Sequence, residues 1–109
     1  MKILLWIDDY RDPYENDWLS FSPIGKDCKV IWCKTYQEAI DWLTNNWPDG
    51  ICFDHDLGEE KTGYDIAKYV VYRILDENLK MPKIACQSSN PVGRKNIEKI
   101  FANLEKFLS

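Results

Sequence analysis

Acidic residues follow two apolar runs of the sequence, at the points where two buried strands are predicted to end. The pair Asp8 and Asp9 comes directly after the run at 3–7, and the triplet Asp-His-Asp at 54–56 follows the run at 51–53. A short apolar run that meets carboxylates abruptly is typical of a strand buried on both faces. In open parallel sheets the ligand crevice lies beyond the carboxyl ends of the strands. We therefore expect these side chains to converge at one edge of a sheet.

The aspartates of these two clusters suit a hard divalent cation. Converging carboxylates repel one another unless a cation or a proton joins them. Magnesium prefers such oxygen ligands and usually takes one or two carboxylates together with water and phosphate oxygens. The structural alternative is that each Asp accepts amide hydrogen bonds in the turn after its strand. Two clusters at equivalent positions favour a site for Mg²⁺ and a phosphate group, with the candidate residues Asp8, Asp9, Asp54 and Asp56.

One imidazole and one guanidinium lie close to these carboxylates in the sequence. His55 is the only histidine of the chain. Because an imidazole exchanges protons near neutral pH, His55 is a candidate general acid or phosphate contact. The alternative is that it only pairs with Asp56 or with a backbone carbonyl. Arg11 could reach a phosphate group, and a surface salt bridge is an equally good interpretation.

The segment at 88–94, Ser-Ser-Asn-Pro-Val-Gly-Arg, forms a second candidate site. Asn90 has the residue type preferred as a helix N-cap, and Pro91 suits the first helical position. The amides that follow would then point toward the crevice, where Gly93 would let a ligand approach the backbone and Arg94 would bind phosphate. The structural alternative is an ordinary capped helix.

Apolar periodicity predicts the elements that must position these residues. Strands are predicted at 3–7, 29–33, 51–53 and 83–86, and helices at 35–46, 64–78 and from 91 onward. Residues 10–27 are predicted to be irregular, with at most a short helix at 15–19. Strands that alternate with helices require parallel crossover connections. The predicted fold class is therefore α/β, a small doubly wound parallel sheet with helices on both faces and strand order 2-1-3-4.

Length, composition and charge narrow the function classes. With 109 residues, 45% of them hydrophobic, we expect a single domain at 1–109. The net charge of −4 argues against binding to duplex DNA, which needs a basic stripe. No signal peptide and no membrane-spanning run is predicted, so we expect a cytoplasmic protein without membrane contact. The four cysteines lack zinc-site spacing and are expected to be reduced thiols.

The motifs W-I-D-D-Y-R-D-P, I-C-F-D-H-D-L-G and Q-S-S-N-P-V-G-R-K-N-I together resemble the receiver domains of two-component signalling. The resemblance is closer to a divergent branch, the cyclic-phosphate-processing receiver domains, and it covers nearly the whole chain. It implies that magnesium is held by Asp8, Asp9 and Asp54. It also places the receiver phosphoacceptor on Asp54 and the hydroxyl position after the fourth strand on Ser88 or Ser89.

The chain departs from the receiver pattern after the fourth strand. Only one helix follows that strand, so no fifth strand is predicted, and the receiver lysine that strand would carry has no counterpart. Phosphorelay signalling therefore fits poorly. Asp56 falls where a receiver supplies a backbone carbonyl to the metal.

These observations together predict a protein that binds Mg²⁺ and a phosphate-bearing ligand at the strand ends. The resemblance implies that it hydrolyses cyclic phosphates on nucleotides or RNA ends. In that hypothesis His55, Asp54 and Asp56 are catalytic, and the phosphate contacts are Arg11, Ser88, Ser89, Asn90, Gly93 and Arg94. Two alternatives stay open, a non-catalytic protein that binds or sequesters a nucleotide and a phosphoacceptor signalling receiver.

Overall fold

The computed structural model describes residues 1–109 and contains one sheet of four parallel strands. The strands are β1 (Ile3–Ile7), β2 (Lys29–Cys33), β3 (Gly50–Phe53) and β4 (Lys83–Cys86). Their order is β2-β1-β3-β4, as predicted. β3, buried along its whole length, and β1, buried from Leu4 to Ile7, lie in the centre, where Ile7 pairs with Phe53. The acidic residues that follow these two strands therefore leave the sheet side by side.

Three α-helices connect or follow the strands: α1 (Tyr36–Asn45), α2 (Gly63–Glu77) and α3 (Pro91–Leu108). A side-chain cap begins each of them. Thr35 accepts a hydrogen bond from the amide of Glu38, and Asn90 accepts one from the amide of Gly93. Thr62 and Asp65 form a reciprocal capping box at α2 that the sequence interpretation overlooked.

All three α-helices pack on one face of the sheet, although helices were predicted on both. The larger core forms there, with Leu5, Ile51 and Phe53 pointing toward the helices. On the opposite face, Trp6 and Cys52 are covered by the segment 8–28, whose only helix is a 3₁₀ turn, Trp18–Phe21. The handedness of crossovers explains this difference, because the step from β1 to β2 runs opposite to the later steps and so crosses the other face.

The cysteines are unpaired, as expected from the sequence. Burial raises the pKa of the Cys33 thiol to about 11, that of Cys52 to about 12 and that of Cys86 to about 11. These thiols are therefore protonated at neutral pH and behave as small apolar core residues. None of the helices is long and apolar enough to cross a membrane.

Candidate functional site

Three carboxylates meet where β1 and β3 end, and we call Asp8, Asp9 and Asp54 the acidic pocket. One oxygen of each lies within 4.8 Å of the others. Asp8 is completely buried and Asp54 is 3% exposed. Asp8 also closes its own turn, because its Oδ1 accepts hydrogen bonds from the amides of Tyr10 and Arg11. Asp8 thus caps the turn after its strand and also contributes a carboxylate to the acidic pocket.

The guanidinium of Arg11 supplies one positive charge to the acidic pocket. Its Nη1 lies 3.2 Å from Asp8 Oδ2 and 3.6 Å from Asp54 Oδ2. Burial alone would lower the pKa of Arg11, but the hydrogen bond and charge of Asp8, with the charge of Asp54, outweigh it and raise that pKa. Arg11 is 7% exposed and lies between the rings of Tyr10 and Trp18. It is therefore a buried ion-pair partner and not a surface salt bridge.

Two indole groups fix the turn that carries these charges. Trp32 Nε1 donates to the carbonyl oxygen of Asp8 at 2.8 Å, and Trp6 Nε1 donates to that of Arg11 at 2.9 Å. Trp6 is fully buried in β1, whereas Trp32 comes from the neighbouring strand β2. The turn is thus attached to two strands of the sheet.

Gln87 adds a neutral polar group to the acidic pocket. Its Nε2 donates to Ile7 O at 3.1 Å and to Asp8 Oδ2 at 3.2 Å. Two buried oxygens near these contacts, Asp9 Oδ1 and Gln87 Oε1, have no hydrogen-bond donor. Unpartnered oxygens beside three carboxylates and one guanidinium fit a hard divalent cation such as Mg²⁺.

The carboxyl group of Asp54 is the most strongly perturbed acid of the pocket. Burial raises its pKa to about 6, and the charge of Asp8 adds to the increase. The charge of Arg11 and a hydrogen bond from Ser88 act in the opposite direction. Desolvation by the surrounding core thus outweighs the two groups that stabilise the carboxylate.

A second polar group lies beside the acidic pocket, and we call His55, Asp56 and Asn90 the histidine arm. His55 Nδ1 is 3.1 Å from Asp56 Oδ1, and Asn90 Nδ2 donates to Asp56 Oδ2 at 3.2 Å. The hydrogen bonds from His55 and Asn90 lower the pKa of Asp56. With Nδ1 occupied, the imidazole keeps Nε2 available for a ligand.

Two glycines let helices approach this edge closely. A Cβ on Gly93 would lie 2.3 Å from Cγ of the His55 ring. A Cβ on Gly63 would lie 1.9 Å from the carbonyl oxygen of Asp54. Gly93 was predicted to admit a ligand to the backbone; in the structure its free side is covered by the imidazole of His55.

The start of α3 offers fewer free amides than the sequence suggested. The amide of Gly93 donates to Asn90 Oδ1 and that of Arg94 to Asn90 O, as in any capped helix. Ser88 is buried and its Oγ accepts from the amide of Asn90, whereas Ser89 and Arg94 are exposed. Arg94 forms no salt bridge, so its guanidinium is available to an anion.

The sequence predicted that most of these residues lie at one sheet edge. It did not predict the role of Gln87 or the hydrogen bond between Asp56 and Asn90. Gln87 could have been found, because it directly follows β4 at the position equivalent to Asp8 and Asp54. The link from Asp56 to Asn90 had no local signal, since it joins two different loops.

Comparisons with known proteins support the fold and then the family. Comparison with curated proteins gives no match. A solved structure titled as a yeast Spc42 trimeric coiled-coil segment fused to another structure superposes with a TM-score of 0.60 and 19% identity. The alignment covers 91% of this chain and 63% of that chain, and at this identity it shows the fold alone. The family model described as the cyclic-phosphate processing receiver domain matches residues 3–103, so the chain belongs to that family.

Proposed function

We propose that the protein opens cyclic phosphates carried by nucleotides or by RNA ends, at the sheet edge formed by the acidic pocket and the histidine arm. One observation carries the proposal: Asp56, itself held by Asn90, engages His55 through Nδ1 and leaves Nε2 to exchange a proton with a ligand. Membership in a family described as cyclic-phosphate processing supports the substrate class.

The acidic pocket would hold Mg²⁺ through Asp8, Asp9 and Asp54. When bound, the ion would neutralise phosphate charge and act as a Lewis acid. Three carboxylates opposed by one guanidinium leave the pocket negative, so a phosphate group would be repelled without a cation. Substrate binding should therefore depend on magnesium.

The chain's own groups would act on the ring as follows. The oxygen of a water molecule forms a bond to phosphorus, and the bond from phosphorus to one ring oxygen breaks. His55 Nε2 gives its proton to that leaving oxygen, the water releases one proton to solvent, and the product is a phosphate monoester. His55 then regains a proton from solvent. Asp56 keeps the imidazole oriented during both transfers.

Residues at the start of α3 would hold the phosphate. Arg94 offers a free guanidinium, and the amide of Val92 is the first on the helix without a backbone acceptor. Ser88 and Ser89 add hydroxyl groups at the same loop. Arg11 is already paired with Asp8, so its role would be to balance charge beneath the ligand.

A substrate panel with and without magnesium tests the proposal. Purified protein is incubated with 2′,3′-cyclic nucleotides, 3′,5′-cyclic nucleotides and RNA oligonucleotides ending in a cyclic phosphate, and monoester formation is followed by chromatography. We expect His55→Ala to lose about 100-fold in turnover while it still binds substrate. Arg94→Ala should weaken both binding and turnover, and Lys95→Ala, which removes the neighbouring charge on α3, should change neither.

Other outcomes would select a different function. Tight binding with no product would make the chain a non-catalytic nucleotide binder, and no binding across the panel would reject the phosphate site. Acetyl phosphate tests the signalling alternative, since a labile, magnesium-dependent mass increase on Asp54 would make phosphoacceptance the leading function. We expect no such increase, because β4 is followed by α3 and not by a fifth strand that could place a lysine against the acyl phosphate.

Magnesium binding has a test that does not need a substrate. A cation that binds only the folded chain raises its melting temperature. We expect millimolar Mg²⁺ to raise it for the wild type and much less for the double variant Asp8→Ala, Asp54→Ala. Equal increases in both proteins would reject the metal site.

A further inference from the structure

The outer edge of β4 is unpaired, because β4 is the last strand of the sheet. The amides of Lys83 and Gln87 donate to Asp49 O and Phe53 O of the β3 side. Since a parallel strand alternates its hydrogen-bonding direction, the N–H and C=O groups of Ile84 and Cys86 point outward. No backbone hydrogen bond outside the sheet engages them. The edge thus offers two donors and two acceptors to an added strand.

A cleft of about 600 Å³ runs beside this edge. Its apolar lining includes Ile84 and Pro82 at the edge strand, Phe101 of α3 and Pro23 of the segment that covers the opposite face. The charged residues of the lining are Glu98 and Glu105 on α3 and Lys83 at the start of β4, and none of them forms a salt bridge. The two glutamates lie seven residues apart on the helix, about 10 Å along its axis. The cleft therefore has apolar residues along the edge strand and two acidic residues along α3.

We propose that the β4 edge binds an extended segment of a partner protein that carries basic side chains at alternate positions. Alternate residues of a strand point to the same side, so its basic groups would face Glu98 and Glu105 while its backbone pairs with Ile84 and Cys86. Apolar residues between them would contact the Pro23 side of the cleft.

The same charges argue against a second copy of this chain as the occupant. Antiparallel pairing of two β4 edges about a two-fold axis would place both α3 helices on one side of a continuous sheet. Glu98 and Glu105 from each copy would then lie on the same side of the sheet, whereas Lys83 shares the opposite side of β4 with Ala85. Like charges in an interface oppose association, whereas a basic strand would neutralise them.

A peptide titration followed by NMR tests this proposal. The probe is acetyl-Lys-Val-Lys-Val-Lys-Val-amide, and the same peptide with Glu in place of Lys serves as the charge control. We expect saturable shifts of the Ile84 and Cys86 amides with the basic peptide only. The double variant Glu98→Gln, Glu105→Gln should bind about tenfold more weakly, since two charge-assisted contacts are lost.

A matched variant separates a specific cleft from general attraction to an acidic protein. Glu15→Gln, Glu60→Gln removes the same charge from exposed positions outside the cleft and should bind the peptide like the wild type. Equal weakening of both double variants would overturn the proposal. Shifts of the two amides that depend on protein concentration in the absence of peptide would indicate self-association and would also overturn it. Shifts of the same amides on addition of single-stranded oligouridylate would do so as well. None of these readouts depends on the acidic pocket.

Discussion

The acidic pocket and the histidine arm lie next to one another at the same sheet edge, yet they differ in burial and in the interactions that hold them. Asp8 and Asp54 are buried, and the single positive charge of Arg11 offsets part of their negative charge. His55 and Asp56 are more exposed, and neutral and charge-assisted hydrogen bonds orient them. The difference indicates a division of tasks: changes in the pocket should alter stability as well as magnesium and substrate binding, and changes in the arm should alter turnover with little effect on stability.

Arg11→Ala should give the largest effect and the strongest test of this division. Removing one partner of a buried ion pair leaves uncompensated charge, at a cost of about 3–5 kcal/mol in the free energy of unfolding. Denaturant unfolding without metal measures it. Lys26→Ala, which breaks an exposed pair with Asp17, should cost less than about 1 kcal/mol. Similar costs for both variants would mean that Arg11 does not neutralise the pocket.

Asp54→Asn should reveal the pH dependence of the pocket. Burial raises the pKa of Asp54 in the folded protein to about 6 from its ordinary value of 3.8, so the folded state holds the proton more tightly. Its ionisation therefore lowers stability as pH rises from about 4 to about 6, by at most about 3 kcal/mol.

Asn at position 54 cannot ionise, so the variant should not lose stability through this group over that pH range. In metal-free buffer we expect its free energy of unfolding, relative to the wild type, to increase between pH 4 and pH 6 and to level off above. A constant difference across that range would contradict the raised pKa.

Asp56→Asn should lower turnover about tenfold, because His55 would lose the carboxylate that orients it. Binding of substrate and the melting temperature should stay near the wild-type values. Steady-state kinetics separates these effects as a fall in kcat at constant KM. Asp76→Asn, an exposed substitution on α2, is the control for charge. A loss of stability instead of turnover would remove the distinction between the two halves of the site.

The glycine pair gives the finest contrast between the two halves of the site. Gly93→Ala would overlap Cγ at the base of the His55 ring, so the ring should turn away from Asp56 and turnover should fall at least tenfold, more than stability changes. Gly63→Ala meets backbone at Asp54 instead and should cost about 1–3 kcal/mol through overpacking. Gly93→Ala should therefore change turnover more than thermal stability, and Gly63→Ala should change thermal stability more than turnover. Identical profiles would show that the imidazole is as rigidly placed as the backbone.

Strand positions were predictable because apolar runs end abruptly at charged residues or turns. The bounds of β1, β2 and β4 agree with the prediction, and β3 begins one residue earlier, at Gly50. The segment 10–27 was less predictable, because its 3₁₀ turn at Trp18–Phe21 follows from packing on the sheet face and not from a periodic pattern. That face lacks an α-helix because the connection from β1 to β2 runs in the opposite direction to the later connections. The spacing of residues in the sequence does not reveal this direction.

Within the site, convergence of the aspartates was predictable from topology, whereas the setting of Arg11 was not. Sequence spacing cannot distinguish a buried pair from an exposed one, because the answer depends on the turn closed by Asp8 and on two aromatic rings. The contact of His55 with Gly93 joins separate loops and likewise leaves no local pattern.

The indole groups that hold the turn after β1 give the molecule an optical reporter of its own site. Trp32 and Trp6 donate to the carbonyls of Asp8 and Arg11, so the indole dipoles lie beside the charges of the pocket. Any cation or phosphate that rearranges those charges changes the electric field at the two rings. Tryptophan emission should therefore shift on ligand binding without an added dye, and Trp32→Phe should remove part of that signal while the pocket carboxylates remain.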